Sequence, residues 1–331
     1  MLSQNREALS HFRDARQMRH CYALPAVSPP LYDPMNYLFP VIAALLWGVN
    51  TLVTKLASGT VGAVDISLLR WFFAAVVVSP WAIPRLRRNM AVIRPNLGRF
   101  FLLGLLGSVV YQCAAYYAAH FTSATNMGVI QSLIPLITLM LSAIFLRHRV
   151  TALVVAGALV SAFGVVMVIS HGDPRQLTVQ GLNRGDGLIV LGATAFALYN
   201  LLMHKWKLKV SLVESLFMQA STATIMLVPL WLAFGEGVHG AAAWGCIAFA
   251  GIGASVMAPL CWMAGISRLG AARVTGFFNL VPIVTAVLAV FALGEKLTVT
   301  TACGGLLTIL GVIVAEYAGR RTSQPAKEAL A

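Results

Sequence analysis

Charge is what this chain lacks: only 11% of its 331 residues are Asp, Glu, Lys or Arg, against about 25% in soluble domains. Acidic side chains are the scarcer sign, 11 in all. A soluble chain with 59% apolar residues would need one or two very large cores, yet almost every twenty-residue window after Tyr37 is apolar. Lipid, not water, is the expected solvent. The five cysteines, Cys21, Cys113, Cys246, Cys261 and Cys303, form no CxxC pair, which speaks against a disulfide framework or a zinc site. No cofactor and no metal are expected.

Long polar segments are missing too, so there is no room for a soluble catalytic domain. Residues 1–34 carry Arg6, Arg13, Arg16 and Arg19 among several prolines and hold no apolar run long enough for a signal-peptide core. They are expected to form a disordered cytoplasmic tail, or to lie upstream of a true start at Met35. At about 20 residues per span, ten helices are predicted near 37–57, 65–84, 98–119, 122–146, 150–170, 186–206, 211–234, 241–266, 269–293 and 298–318. The fold class is an all-α polytopic membrane protein of ten transmembrane helices in two inverted five-helix repeats. Its parts are the tail 1–34, a first repeat 35–170, a periplasmic linker 171–185, a second repeat 186–318 and a cytoplasmic tail 319–331.

The formal charge of +13 would suggest nucleic acid in a soluble protein. Here it reports topology, and no nucleic-acid partner is expected. Lys and Arg in short loops are retained on the cytoplasmic side, and with the N-terminus inside, 19 of the 24 fall in inside segments. The chain is accordingly expected to be a multi-pass protein of the bacterial inner membrane with both termini cytoplasmic.

The repeat is read by sliding the chain against itself. At an offset of 147, Gln131–Val168 matches Phe278–Ala315 without gaps and with ten identities in 38 positions, among them Pro135/Pro282, Thr151/Thr298, Gly157/Gly304 and Gly164/Gly311. Slightly larger offsets pair Asp65 with Glu214, Asn50 with Asn200 and Lys55 with Lys205. Five helices per copy force the second copy to enter the membrane from the opposite face, an arrangement from which many secondary transporters are built.

Polar or aromatic groups inside a span are costly unless they face protein or water. That criterion selects Trp47 and Asn50 in the first helix, Tyr111, Gln112 and Tyr116 in the third, Gln131 in the fourth, Tyr199 and Asn200 in the sixth, Met257 and Trp262 in the eighth, and Phe278 and Asn279 in the ninth. Each has a plainer alternative: Asn and Gln often bond a neighbouring helix, and Tyr or Trp near a helix end anchors at the interface. Pro135 and Pro282 sit mid-span, where each removes a helical bond and bends its helix. No charged residue is expected at the centre of any span. Arg70 should snorkel to the outer surface, Glu214 starts the seventh helix, and His204 should be solvated. A cavity of this kind suits a neutral, zwitterionic or aromatic solute better than a phosphorylated one.

Trp47-Gly48-x-Asn50, Arg70-x-x-x-Ala74, the proline pair and Gly294-Glu295-Lys296-Leu297-Thr298 ahead of a glycine-bearing last helix together resemble the drug/metabolite transporter superfamily, EamA-type branch, from about Tyr37 to Tyr317. The resemblance implies an exporter of small metabolites, most similar to bacterial aromatic and neutral amino-acid exporters. It further implies helices 1, 3, 4, 6, 8 and 9 around a central cavity, with helices 5 and 10 as peripheral support. One departure is visible: His148, between Arg147 and Arg149, stands where the second half has Glu295. An intramembrane enzyme is the competing class, but HExxH and GxGD are absent and no histidine follows His239 to serve Ser255 as a base. Within transporters, a sugar-phosphate or nucleotide-sugar type exchanger is the runner-up. The expected partners are a small-molecule solute and the lipid bilayer, with the chain a monomer or weak homodimer.

Overall fold

The computed structural model describes residues 34–146, 151–170, 183–206, 208–269 and 274–323. Among them the regular structure is helical, apart from one bridge joining Val61 to Val238. The helical stretches are α1 (Leu38–Ala57), α2 (Ala63–Arg88), α3 (Met90–Ala118), α4 (Ala124–Phe145), α5 (Ala152–Ile169), α6 (Arg184–Trp206), α7 (Leu212–Phe234), α8 (Ala241–Ile266), α9 (Phe277–Leu293) and α10 (Val299–Ser323). The first eight are long and apolar enough to cross a membrane, and α9 and α10 hold shorter apolar stretches. Large apolar side chains such as Ile144, Phe163, Leu232 and Phe291 stand exposed on the outside, as lipid would allow and water would not.

Each expected segment coincides with a helix, with shifted ends. Helix α2 runs on through Pro84 to Arg88 and places Arg85, Arg87 and Arg88 in its last turn, where cations complement exposed carbonyls. Helix α3 begins at Met90, because Pro95 sits in a short 3-10 turn, Arg94–Asn96, that lets the helix re-form. The expected start of the ninth helix near 269 runs into 270–273, outside the described residues.

Helix starts follow from local chemistry. The Ser123 side chain accepts from the Asn126 N–H, and Ser211 with Glu214 forms a reciprocal capping box at the start of α7. The repeated threonines do the same job twice: Thr151 Oγ1 accepts from Val154 N at the start of α5, and Thr298 Oγ1 from Thr301 N at the start of α10. Helix α9 ends at Gly294, whose φ of 66° lets Glu295 N bond back to Ala289 O, a closure that wants glycine.

Packing is exchanged between the halves. Replacing each helix by the one five places away maps α2–α7, α4–α9 and α5–α10 onto themselves, α1–α8 onto α3–α6, α1–α9 onto α4–α6, and α2–α8 onto α3–α7, and all of these pairs are in contact. Equivalent helices are also irregular alike. Helix α3 contains a wide π-turn segment, Gly104–Val110, and α8 contains another, Phe249–Met257. Helix α4 is interrupted at Ser132–Leu133 just before Pro135, and α9 opens on a 3-10 stretch, Thr275–Asn279, just before Pro282. In both cases proline lacks the N–H that would continue the ladder.

Candidate functional site

A cavity of about 560 Å³ lies between the halves, lined by side chains from α1, α2, α3, α4, α6, α7, α8 and α9. The π-turn segments bring Gly107 and Ser108 of α3 and Ala254 and Ser255 of α8 to its wall. A β-carbon at Gly107 would come within 2.9 Å of the Tyr199 ring, so the absence of a side chain there is what admits that ring. On α8 the lining positions 255, 259, 262, 263 and 266 follow the period of a helix.

Two groups of aromatic rings form the walls. Trp47, Trp262 and Phe278 meet pairwise with ring centroids 5.3, 5.7 and 6.0 Å apart. Across the cavity Tyr111, Phe196 and Tyr199 stack in series at 4.7 and 5.2 Å. The groups come from exchanged helices, α1, α8 and α9 against α3 and α6, but differ in chemistry, since Gln131 of α4 occupies the repeat position of Phe278. Gln131 Oε1 accepts from Thr51 Oγ1 at 3.4 Å, and Trp47 Nε1 donates to Ala254 O at 3.3 Å. Asn50 Oδ1 is buried without a hydrogen-bond partner.

Of the residues selected from sequence, Trp47, Asn50, Tyr111, Gln112, Gln131, Tyr199, Asn200, Trp262 and Phe278 line the cavity, as does Pro135. Met257 does not: it is 49% exposed. Five residues separate it from Trp262, which on a helix of 3.6 residues per turn turns it well off the cavity stripe. Tyr116 is buried behind the wall and reaches the site through its hydroxyl, while Asn279 and Pro282 are buried off the lining. The side chain of His204 and all of His148 lie outside the described residues.

Arg70 corrects the expectation of an uncharged interior. It is 3% exposed and lines the cavity instead of snorkelling to a surface. Its Nε donates to Ser255 Oγ at 2.6 Å, and its Nη1 to Gln112 Oε1 at 2.9 Å and Tyr116 Oη at 3.1 Å. The guanidinium also lies 5.3 Å from the Trp71 ring. Snorkelling needs an open path to water, and the chain closes that path. Asp65, one and a half turns nearer the start of α2, is fully buried and accepts from Trp231 Nε1 at 2.8 Å, Glu236 N at 3.0 Å and Gly237 N at 3.2 Å. The Val61–Val238 bridge ties the same loop down.

That end of the bundle is stapled at three further points. Lys55 Nζ, at the end of α1, donates to Ala119 O at 2.6 Å and Thr122 O at 2.8 Å, carbonyls where α3 stops. Thr122 Oγ1 donates to Asp186 Oδ1 at the start of α6. Glu295, past α9, accepts from Ala124 N, Thr125 N and Thr125 Oγ1 at 2.7, 3.2 and 2.7 Å, capping α4. The cavity reaches toward the other end, where its lining includes Met203 late in α6, Leu212 and Ser215 at the start of α7, and Ile266 at the close of α8. The α7 residues on its wall stop at Gln219. Among the described residues no three His, Cys, Asp or Glu side chains gather as a metal site.

The EamA-like transporter family matches twice, over residues 35–170 and 183–317. The chain belongs to that family. Its relatives include an uncharacterized transporter, YyaM, of Bacillus subtilis, 30% identical over 67% of this chain and 74% of that protein. The "Probable terminal-alkyne amino-acid exporter" of Streptantibioticus cattleyicolor is 26% identical over 87% of this chain and 95% of its own. An uncharacterized inner membrane transporter of Salmonella typhimurium, YicL, is 22% identical over 86% and 96%. A crystal structure 20% identical in sequence superposes with a TM-score of 0.60, covering 87% of this chain and 98% of that one, a likeness of fold. The protein is a multi-pass membrane transporter.

Proposed function

We propose that this transporter exports small metabolites, aromatic or other neutral amino acids, across the bacterial inner membrane by alternating access between two inverted five-helix repeats. The observation that carries the reading is the cavity of about 560 Å³ walled by both halves, with the Lys55, Asp65, Asp186 and Glu295 staples across one end. The exchanged packing of α1–α5 against α6–α10 is what two similar halves need in order to swap conformations around one site. With ten spans and both termini cytoplasmic, as the positive loops indicate, the stapled end is periplasmic. The end toward which the cavity reaches then faces the cytoplasm, where an exporter loads. The amino-acid assignment is supported by the aromatic walls and by the name of the Streptantibioticus relative. A sugar-phosphate or nucleotide-sugar exchanger has weaker support, since among the described lining residues a single guanidinium would face a multiply charged group.

The test is uptake into proteoliposomes of a panel of radiolabelled amino acids and sugar phosphates, with and without a pH gradient. Saturable flux of phenylalanine, tyrosine or a similar amino acid is expected; flux of sugar phosphates alone would replace this reading with the exchanger. Thiol labelling of cysteines added at each terminus, from each side of the membrane, tests the orientation: the two should react from the cytoplasmic face together.

A further inference from the structure

Arg70 is the one charged residue among the described residues that line the cavity. It is bonded only to neutral acceptors, the Ser255 hydroxyl, the Gln112 amide oxygen and the Tyr116 hydroxyl. A buried cation without a counter-anion is costly, and proteins normally supply one. The buried acids among the described residues are bonded elsewhere: Asp65 to Trp231 and the Glu236 and Gly237 amides, Glu214 to Asn89 and Ser211, and Asp186 to Thr122.

The guanidinium is nevertheless held in a fixed pose. Ser255 passes its own proton to Ala250 O at 2.8 Å and so keeps a lone pair for Nε, while Nη1 spends both protons on Gln112 and Tyr116. Among the described residues nothing bonds Nη2, the remaining amino group of this cavity-lining side chain. A planar fork oriented on two nitrogens and open on the third is the form of an anion receptor. Asn50 of α1 lines the same cavity, its Oδ1 buried and without a partner.

Resting on the transport reading above, the geometry points to Arg70 as the anchor for a carboxylate on the transported solute. One carboxylate neutralises one guanidinium, whereas a phosphate dianion would leave charge over. The solute therefore carries a free carboxylate, as the amino acids of the transport reading do, and the corresponding amides and decarboxylated amines are disfavoured. The charge that sequence reading placed at the membrane surface becomes the determinant of what the cavity accepts.

The experiment compares phenylalanine, phenylalaninamide and phenethylamine in proteoliposomes of the wild type, Arg70→Gln, Arg70→Lys and Gln112→Glu. Wild type should carry phenylalanine at least about tenfold faster than the amide or the amine, a difference of about 1.4 kcal/mol. Arg70→Gln should lose phenylalanine flux while keeping that of the amide. Arg70→Lys, which keeps the charge and loses the fork, should retain part of the preference. Gln112→Glu sets a protein carboxylate against Nη1 and should also suppress phenylalanine, so it carries the test if Arg70→Gln fails to insert. A wild type that moves acid and amide equally, or an Arg70→Gln protein with an unchanged preference for the acid, overturns the anchor and leaves the transporter reading intact. If no compound of the set moves in wild type, the amino-acid reading fails, and the anchor is decided by binding. Benzoate should then quench cavity tryptophan fluorescence more than benzamide does, through Trp47, Trp71 and Trp262, and Arg70→Gln should abolish the difference; equal quenching by both overturns it.

Discussion

Single side chains decide how the helix ends of this molecule are joined. Asp65 satisfies an indole and two backbone amides that close the far end of α7, and Glu214, its repeat partner, accepts from Asn89 Nδ2 at 2.6 Å and from Ser211, closing the far end of α2. Replacing Asp65 by alanine leaves three part-buried donors without their acceptor, so a loss of about 1–3 kcal/mol is expected. It should register as a lower Tm in detergent, with Asp65→Asn retaining most of the stability because an acceptor remains. Within the cavity, Trp262→Ala should cut amino-acid flux by more than about tenfold by breaking the three-ring wall, while Tyr116→Phe, which removes one of the three acceptors of Arg70, should cost less than that. Normal insertion, read by size-exclusion profile, must accompany both. Most of the residues selected from sequence line the cavity, because polar and aromatic groups are expensive in a greasy helix. Arg70 was not read as one of them, because its distance from the helix start is compatible with snorkelling. The cover that forbids it comes from Trp231, Glu236 and Gly237, more than 160 residues away.

At the scale of elements, α5 and α10 cross with their backbones in near contact. A β-carbon on Gly157 would stand 2.7 Å from Ala315 N and Gly311 O, and one on Gly164 would stand 2.5 Å from Gly304 O. Gly164→Leu should therefore destabilise or unfold the protein, whereas Gly98→Ala, with nothing within 4 Å of the new methyl, should be neutral or raise stability by up to about 1 kcal/mol through helix propensity. Thermal melts of the two variants make the comparison. The offset of 147 already paired Gly157 with Gly304 and Gly164 with Gly311. It could not say that the contacts run crosswise, Gly157 on Gly311 and Gly164 on Gly304, because a repeat records descent and not proximity. The π-turns were likewise invisible. An extra residue per turn carries no compositional mark in Gly104–Val110 or Phe249–Met257.

For the whole molecule, the ten apolar segments and the two-part organisation were readable because bilayer thickness and gene duplication both leave periodic traces. Which end is stapled was not, since it depends on groups brought together from seven helices. The staples are unevenly shared. Lys55, Asp65, Asp186 and Glu295 hold one end. At the repeat positions that would serve the other end stand Lys205, Glu214, Asn36 and His148, so two of the three acids have no acidic counterpart. A cysteine at Thr54, on the cavity wall, should react several-fold faster with an impermeant thiol reagent added from the stapled end once Glu295 is changed to Gln. An unchanged rate would mean that this staple does not set the closed state. On the proposed alternating-access reading, two doors with unequal latches idle with the better-latched one fastened, and the slow step is then letting the cargo out.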